Sequence, residues 1–255
     1  MLFEGVGLGY WLLLVATGLV AGIINTLAGG GSNLTIPALM LLGMPADAAN
    51  ATNRVGVFFQ TLGAVKGFHK AGKLRQADAH DVIVPTLAGS VIGALLAAVL
   101  PVALLKPLLL GVMVTVALIL LMRPSIIAPE AGEATYKVAD KPQGFWLLLL
   151  AGVYGGFIQA GVGFILILAI AGTLRFDLVR TNALKVAATL AFTTLSLIVF
   201  IAFDLIVWLP GLALACGTMV GAHFAVKLSL RLPQQAIKWF LFVMTLCASA
   251  AALWF

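Results

Sequence analysis

The stretch Asn25-Thr26-Leu27-Ala28-Gly29-Gly30-Gly31-Ser32-Asn33 places three consecutive glycines at the end of a long apolar run. Glycine adopts backbone conformations that other residues avoid, and it lets a ligand approach the main chain closely. A helix that begins directly after the glycines has unpaired N–H groups in its first turn. We therefore predict that this stretch interrupts an apolar helix. The alternative is that the glycines serve close helix packing, as small residues do in membrane proteins.

The composition around this stretch is that of a membrane protein. Of the 255 residues, 62% are hydrophobic and only 9% are charged, with a mean hydropathy of +1.14. Soluble domains carry about 25% charged residues, so a soluble enzyme, a disordered chain and a coiled coil are excluded. Runs such as Leu195 to Phe203 lack the alternation of a β-barrel strand. The sequence predicts an all-α integral membrane protein, a polytopic bundle of helices.

Eight long apolar segments and two short ones follow one another along the chain. The short segments reach about 20 Å, against about 30 Å for the hydrocarbon core of a bilayer, and each follows a glycine cluster. We expect them to be glycine-broken, short or re-entrant helices. The long segments are Leu8 to Ile24, Val55 to Gly67, Val82 to Leu100, Leu104 to Met122, Gly144 to Gln159, Asn182 to Ala202, Leu205 to Val226 and Ala236 to Trp254; the short ones are Ser32 to Leu42 and Phe164 to Leu174.

The chain contains an internal repeat. A polar, proline-containing linker near the midpoint separates two stretches in which the same residues recur in the same order. We predict an N-terminal transmembrane repeat at 1–122, a cytoplasmic linker at 123–143 and a C-terminal transmembrane repeat at 144–255. The matched positions are Gly43 with Gly172, Thr52-Asn53 with Thr181-Asn182, Gly89 with Gly217, and Gly93 with Gly221.

Charges in the loops predict that the two repeats are inverted. Each repeat holds five segments, an odd number, and the loop after the third segment is basic in the first repeat, whereas its counterpart holds only Asp204. After the fourth segment the bias reverses, with Lys106 in the first repeat against Lys227, Arg231 and Lys238 in the second. Because basic loops stay in the cytoplasm, we expect a multi-pass protein of the inner (cytoplasmic) membrane with both termini extracytoplasmic. The net charge of +6 then reflects topology, not nucleic acid.

The two glycine clusters are the predicted binding site. The second cluster is Gln159-Ala160-Gly161-Val162-Gly163. Two helix N-termini brought together near the midplane would offer backbone N–H groups to an anion. We expect backbone donors at Gly29, Gly30, Gly31, Ser32, Gly161 and Gly163, and orienting polar side chains at Asn25, Asn33, Asn53, Gln159 and Asn182.

Two cations inside apolar segments are candidates to contact the ligand. Arg54 and Lys185 each lie in or near the predicted first turn of a long helix, without an acidic residue close in sequence. A charge there is costly and often functional. For Lys185 the alternative is that the side chain extends to the membrane surface. The neighbouring Thr52 and Thr181 are either helix N-caps or ligand contacts.

Residue types that are missing from the segments also bear on function. No carboxylate lies deep in a segment, which disfavours a cation or proton antiporter and favours an anionic substrate. No catalytic cluster, nucleophile triad or metal-ligand spacing is present, so we expect no enzyme activity, no metal and no cofactor. The expected partners are a small anionic substrate and the lipid bilayer, without nucleic acid. A homodimer is left open.

The stretch from Gly22 through Pro37 resembles the signature of the sulfite exporter TauE/SafE family of membrane transporters. The resemblance rests on Ala28-Gly29-Gly30-Gly31-Ser32, on Ile36-Pro37-Ala38-Leu39, and on Ala49-Asn50-Ala51-Thr52-Asn53, and it extends into the second repeat at Gly152 to Gly156 and Thr181-Asn182. The second copy departs from the family pattern, because Val162 interrupts its glycines and Leu166 stands where a proline is usual.

The resemblance implies transport of a small sulfur-containing or organic anion, such as sulfite or a sulfonate like sulfoacetate. Together with the predicted site, it favours a secondary transporter that works by alternating access. The alternative function is a passive anion channel with the same midplane site.

Overall fold

The structure is a computed structural model that describes residues 7–101, 103–104, 134–233, 235–237, 239–240 and 243. Three sequence predictions fall largely outside these residues. They are the apolar segment Leu104 to Met122, the first part of the linker, and the last segment, Ala236 to Trp254. Both chain termini lie outside the described residues as well.

The described residues form helices joined by short connections. The helix at Val162–Ile167 continues directly into a π-helical stretch, Leu168–Thr173, and a short 3-10 turn, Val138–Asp140, lies in the linker. The helices are α1 (Leu8–Leu27), α2 (Ser32–Leu41), α3 (Ala46–Lys70), α4 (Gln76–Val99), α5 (Pro142–Phe157), α6 (Val162–Ile167), α7 (Leu178–Ala202) and α8 (Trp208–Arg231).

Two interruptions separate the helices where the glycine clusters lie. We call residues 28–31, between α1 and α2, the first break, and residues 158–161, between α5 and α6, the second break. The helix after each break is short: α2 spans ten residues, and α6 with its π-helical continuation spans Val162 to Thr173. At 1.5 Å per residue both measure less than 20 Å, as the apolar run lengths predict.

Helix α3 begins well before the apolar segment from which it was predicted. It starts at Ala46, whereas the apolar run starts at Val55. Thr52 and Arg54 therefore lie in the second and third turns, so the predictions of an N-cap and of a first-turn cation are wrong here. The reason is physical: this part of α3 is buried in protein and not in lipid, so it carries polar side chains that lower its hydropathy.

The start of α7 is also earlier than predicted. Asp177 caps this helix by accepting hydrogen bonds from the N–H groups of Val179 and Arg180 at 3.0 and 2.9 Å. Thr181 lies inside the first turn and donates to the carbonyl oxygen of Phe176 at 3.1 Å, so it is not the N-cap. Lys185 consequently lies two turns into the helix.

Four helices of the described part are long and apolar enough to cross a membrane: α1, α4, α7 and α8. Their outward faces carry exposed apolar side chains, for example Leu12, Ile92 and Ile198. Helix α3 is just as long but has many polar residues, and it packs against α7, α8 and α2. The protein is therefore a multi-pass helical membrane protein with a polar helix in its interior.

Close backbone contacts join α1 to α8 and α4 to α5. A Cβ atom added at Gly217 would lie 2.1 Å from the carbonyl oxygen of Val15, and one added at Gly89 would lie 2.1 Å from the carbonyl oxygen of Leu149. Only glycine allows such an approach. Gly89 and Gly217 are matched positions of the sequence repeat, so matched glycines make matched helix contacts.

The same contacts give the directions of the helices. Along α1 and α8, Val15 meets Gly217 and Leu19 meets Gly221, so these helices run in parallel. Along α4 and α5, Gly89 meets Leu149 and Val153, and Gly93 meets Val153 and Phe157, so these helices also run in parallel. Helix α3 runs parallel to α8, because Thr52 near the start of α3 meets Val207 at the start of α8, and Gly67 near the end of α3 meets Val226 near the end of α8.

Candidate functional site

The two breaks touch each other through their glycines. A Cβ atom built on Gly29 would lie 2.3 Å from the Cα atom of Gly163, and one built on Gly163 would lie 2.2 Å from the Cα atom of Gly29. Gly29 has φ +91 and Gly161 has φ +77, a left-handed backbone conformation that favours glycine. The structure therefore brings together the two glycine clusters that the sequence predicts to form one site.

Helix α3 holds the α1 side of the first break through Gln60. The Nδ2 of Asn25 donates to the Oε1 of Gln60 at 3.1 Å, and the Nε2 of Gln60 donates to the Oγ1 of Thr26 at 3.2 Å. All three side chains are buried. The amide of Gln60 thus fixes the last turn of α1 beside the break.

Helix α3 holds the α2 side of the same break through Asn53. The Nδ2 of Asn53 donates to the Oγ of Ser32 at 3.0 Å, and its Oδ1 accepts a hydrogen bond from the Oγ1 of Thr35. Asn53 and Gln60 are two helical turns apart, so they lie on the same face of α3. Asn25, Ser32 and Asn53 therefore use their side chains in contacts with the protein itself.

The side chain of Arg54, a residue of α3, reaches the carboxyl end of α5. Its guanidinium donates to the carbonyl oxygens of Gly155 and Gly156 and to the Oε1 of Gln159. Its side chain is completely buried. The guanidinium lies over the ring of Phe200 on α7, with 5.5 Å between the guanidinium carbon and the ring centroid. Nearby, the Nδ2 of Asn50 donates to the carbonyl oxygen of Phe157 at 2.9 Å.

The side chain of Lys185, a residue of α7, reaches the carboxyl end of α1. Its Nζ donates to the carbonyl oxygen of Thr26 at 3.0 Å and to the Oδ1 of Asn182 at 2.8 Å. Its side chain is 1% exposed, so the alternative in which Lys185 extends to the membrane surface is wrong. The cation is retained in the interior by hydrogen bonds that it donates.

Both cations stabilise a helix C-terminus from the opposite half of the chain. The last carbonyl oxygens of a helix lack intrahelical partners and carry a partial negative charge, so a cation there is favourable. Arg54 on α3 supplies this cation to α5, and Lys185 on α7 supplies it to α1. Neither cation forms an ion pair with a carboxylate among the described residues.

Several buried donors of these side chains have no hydrogen-bond partner within the described residues. They are the Nε of Arg54, the Nε2 of Gln159 and the Nδ2 of Asn182. An ammonium group has three donors, and only two of those of Lys185 have described acceptors. A buried polar group without a partner is costly, so such a set of donors is typical of a site that accepts a ligand.

The remaining predicted residues also lie at the breaks. Gly30 and Gly31 are buried, and their N–H groups donate to no acceptor among the described residues. The Oδ1 of Asn33 is buried without a described partner. The atoms nearest to a Cβ atom on Gly30 would belong to the ring of Phe164 and, more distantly, to the Nδ2 of Asn33. The main chain at Gly30 therefore faces side chains, whereas that at Gly29 faces backbone.

Sequence reasoning missed several residues of this arrangement. Gln60, Asn50 and Tyr154 were not predicted, although Tyr154 donates its hydroxyl hydrogen to the carbonyl oxygen of Ala160 in the second break. Gln60 did have a signal, because it is a lone amide within the apolar run Val55 to Gly67. The carbonyl acceptors of Arg54, at Gly155 and Gly156, had none, since backbone carbonyl oxygens are present at every residue.

A family model matches almost the whole of this chain. The model is described as sulfite exporter TauE/SafE, and it matches residues 14–252. The chain belongs to the TauE/SafE sulfite exporter family. The resemblance noted in the glycine-rich signature is thereby confirmed, and the TauE/SafE membership identifies a membrane transporter.

Named relatives of this TauE/SafE protein agree with that assignment. A probable membrane transporter protein from Haemophilus influenzae is 27% identical, with 96% of this chain and 95% of the relative covered. The probable membrane transporter protein YfcA from Escherichia coli K12 is 27% identical, with 92% and 87% covered. YdhB from Bacillus subtilis, also a probable membrane transporter protein, is 25% identical over 91% and 94%. No solved structure matches the chain significantly.

Proposed function

We propose that this protein is a secondary transporter that moves a small oxyanion across the cytoplasmic membrane by alternating access. The substrate class is sulfite, a sulfonate such as sulfoacetate, or a related organic oxyanion. The site consists of the two breaks and the polar side chains of α3 and α7 around them. The family description, sulfite exporter, supports the choice of sulfite as the first substrate to assay.

The observation that carries this proposal is the charge of the interior. Two buried cations lie at the helix ends beside the breaks, Arg54 at the end of α5 and Lys185 at the end of α1, and neither has a carboxylate partner in the described part of the chain. In a low-dielectric interior, positive charge attracts an anion strongly and repels a cation. The unpartnered amide and guanidinium N–H groups add donors suited to oxygen atoms.

The helix directions support an inverted repeat as the machinery of transport. The N-termini of α1, α3 and α8 lie at one end of the bundle, as their parallel packing requires. The N-termini of α4, α5 and α7 lie at the other end, where Arg180 of α7 bonds Asp78 of α4 at 2.7 Å. These directions support the proposal that matched helices of the two repeats are inverted relative to each other, as alternating access between inverted halves needs.

Counterflow in proteoliposomes tests the proposed function. Vesicles loaded with unlabelled sulfite should accumulate external radiolabelled sulfite transiently, because a transporter exchanges substrate across the membrane. We expect Gly30→Leu to reduce this uptake at least tenfold, since its side chain would fill the first break beside Phe164. Gly63→Leu is the matched control, because a Cβ atom at Gly63 meets nothing within 4 Å.

Each alternative gives a different result in this assay. With the membrane potential clamped at zero, a passive anion channel lets sulfite through but gives no transient accumulation of label against its concentration. Counterflow that is equally strong in wild type and Gly30→Leu would show that the first break is not the transport site. Absence of sulfite and sulfonate flux with folded, reconstituted protein would overturn the assignment of the substrate class.

A further inference from the structure

We propose that the transport path holds two anion subsites in series, one formed by Arg54 with Gln159 and the other by Lys185 with Asn182. This inference rests on the proposed anion transport and refines it, because the sequence alone predicts one shared site at the midplane. Each subsite would bind one small oxyanion through a buried cation and a neighbouring amide.

The Arg54–Gln159 subsite lies at the second break. The guanidinium of Arg54 contacts the Oε1 of Gln159, which leaves the Nε2 of Gln159 as a donor. The Nε of Arg54 also has no described acceptor. Both side chains are at most 1% exposed, and these donors belong to a cation and an amide in direct contact.

The Lys185–Asn182 subsite lies at the end of α1, beside the first break. Lys185 donates to the Oδ1 of Asn182, which leaves the Nδ2 of Asn182 without a described partner. Both side chains are 1% exposed. Asn53, which matches Asn182 in the first repeat, differs because it uses both ends of its amide on Ser32 and Thr35.

The positions of the two pairs along α7 separate them. Gln159 accepts a hydrogen bond from Thr193 at 3.4 Å, and Arg54 lies over the ring of Phe200. These residues of α7 follow Lys185 by about 12 Å and about 22 Å along the helix axis, at 1.5 Å per residue. The ammonium of Lys185 points the opposite way, towards the preceding residue Asn182. One small anion therefore does not contact both pairs.

The chemistry of the unpartnered groups defines the ligand. All of them in the two pairs are N–H donors, which suit an ion whose oxygen atoms only accept hydrogen bonds. Charge-assisted donors bind such oxygens more strongly than neutral ones do. A small oxyanion such as sulfite fits either pair, and an uncharged molecule does not compensate the buried cation.

Equilibrium dialysis of radiolabelled sulfite against the purified, full-length protein counts the subsites. We expect the wild type to bind two sulfite ions per chain at saturation. Asn182→Asp and Gln159→Glu should each bind one, because the new carboxylate pairs with the adjacent cation and repels the anion at that subsite only. Asn182→Leu and Gln159→Met repeat the test without adding charge, and they too should bind one.

Thr189→Val is the matched control for these variants. Thr189 is a buried residue of α7 one turn after Lys185, and its hydroxyl donates within the helix to the carbonyl oxygen of Lys185 at 2.8 Å. This variant should bind two sulfite ions. One ion bound by wild type, with none bound by either carboxylate variant, would mean a single shared site and would overturn the proposal.

Sulfite counterflow by the same protein preparation separates this inference from the proposed function. Counterflow together with one bound sulfite per chain would overturn the two subsites and leave the transporter assignment intact. Absence of both binding and counterflow would overturn both.

Discussion

At the scale of single residues, the two buried cations can be identified from the sequence, but most of their hydrogen-bond acceptors cannot. A cation within an apolar run is visible in the sequence, and both Arg54 and Lys185 were predicted as candidates on that basis. Their acceptors are mostly backbone carbonyl oxygens at the ends of α5 and α1, which depend on where those helices stop. The assignment of these residues to an anion stays a prediction.

Replacing Lys185 with methionine tests whether its charge serves the substrate. We expect Lys185→Met to lower sulfite counterflow at least tenfold. We expect its thermal midpoint to stay close to that of wild type, because removing a buried charge offsets the hydrogen bonds lost by Thr26 and Asn182. Lys66→Met removes an exposed charge from α3 and should leave counterflow unchanged. Full counterflow by Lys185→Met would show that the charge is structural.

Replacing Gln60 with leucine tests its role in holding the first break. The change leaves the buried Nδ2 of Asn25 and Oγ1 of Thr26 without partners, at a cost of about 1–3 kcal/mol. We expect a lower thermal midpoint and reduced counterflow, with partial recovery in Gln60→Glu, which still accepts from Asn25. Thr61→Val is the control, since Thr61 bonds only carbonyl oxygens of its own helix. Equal midpoints for Gln60→Leu and Thr61→Val would contradict this role.

At the scale of helices, hydropathy located the membrane-exposed elements well and the interior helix poorly. The bounds predicted for α1, α2, α5 and α6, the last taken with its π-helical continuation to Thr173, lie within a few residues of those observed. The start of α3 was placed nine residues too late, because its first turns face protein and carry Asn50 and Asn53. Hydropathy reports contact with lipid, so it underestimates a helix that packs polar groups inward.

The glycine contacts between helices predict matched losses of stability in the two repeats. We expect Gly89→Ala and Gly217→Ala to destabilise the protein by similar amounts, roughly 1–3 kcal/mol, because each methyl group would lie 2.1 Å from a carbonyl oxygen of the facing helix. Gly63→Ala faces open space and should change little. Thermal unfolding in detergent measures the three midpoints. A variant at Gly89 or Gly217 as stable as Gly63→Ala would contradict the close helix contact.

At the scale of the whole molecule, the all-helical membrane fold and the family could be predicted from the sequence. The arrangement of the two repeats could be predicted only in part. Matched glycines at Gly89 and Gly217 signalled the duplication, and matched contacts are present. Hydropathy could not give the direct contact between Gly29 and Gly163, which depends on how two distant helix ends meet. The inverted orientation, the bounds of the repeats, the position of the termini and a homodimer stay predictions.

Labelling of single cysteines tests the inverted orientation. In a chain with Cys216 and Cys247 replaced by serine, we expect Asp204→Cys to react with a membrane-impermeant maleimide in intact cells, and Lys73→Cys to react only after permeabilisation. Both positions are exposed and occupy matched connections of the two repeats. Reaction of both from the same side would mean that the repeats are parallel.

Competition for sulfite counterflow tests most directly the claim that the interior selects negative charge. Methanesulfonate and methanesulfonamide have nearly the same shape, but only methanesulfonate is an anion at neutral pH. The two buried cations predict that methanesulfonate inhibits uptake of radiolabelled sulfite and that methanesulfonamide at the same concentration does not. Equal inhibition by both compounds, or inhibition by the neutral one alone, would contradict an anion site built on Arg54 and Lys185.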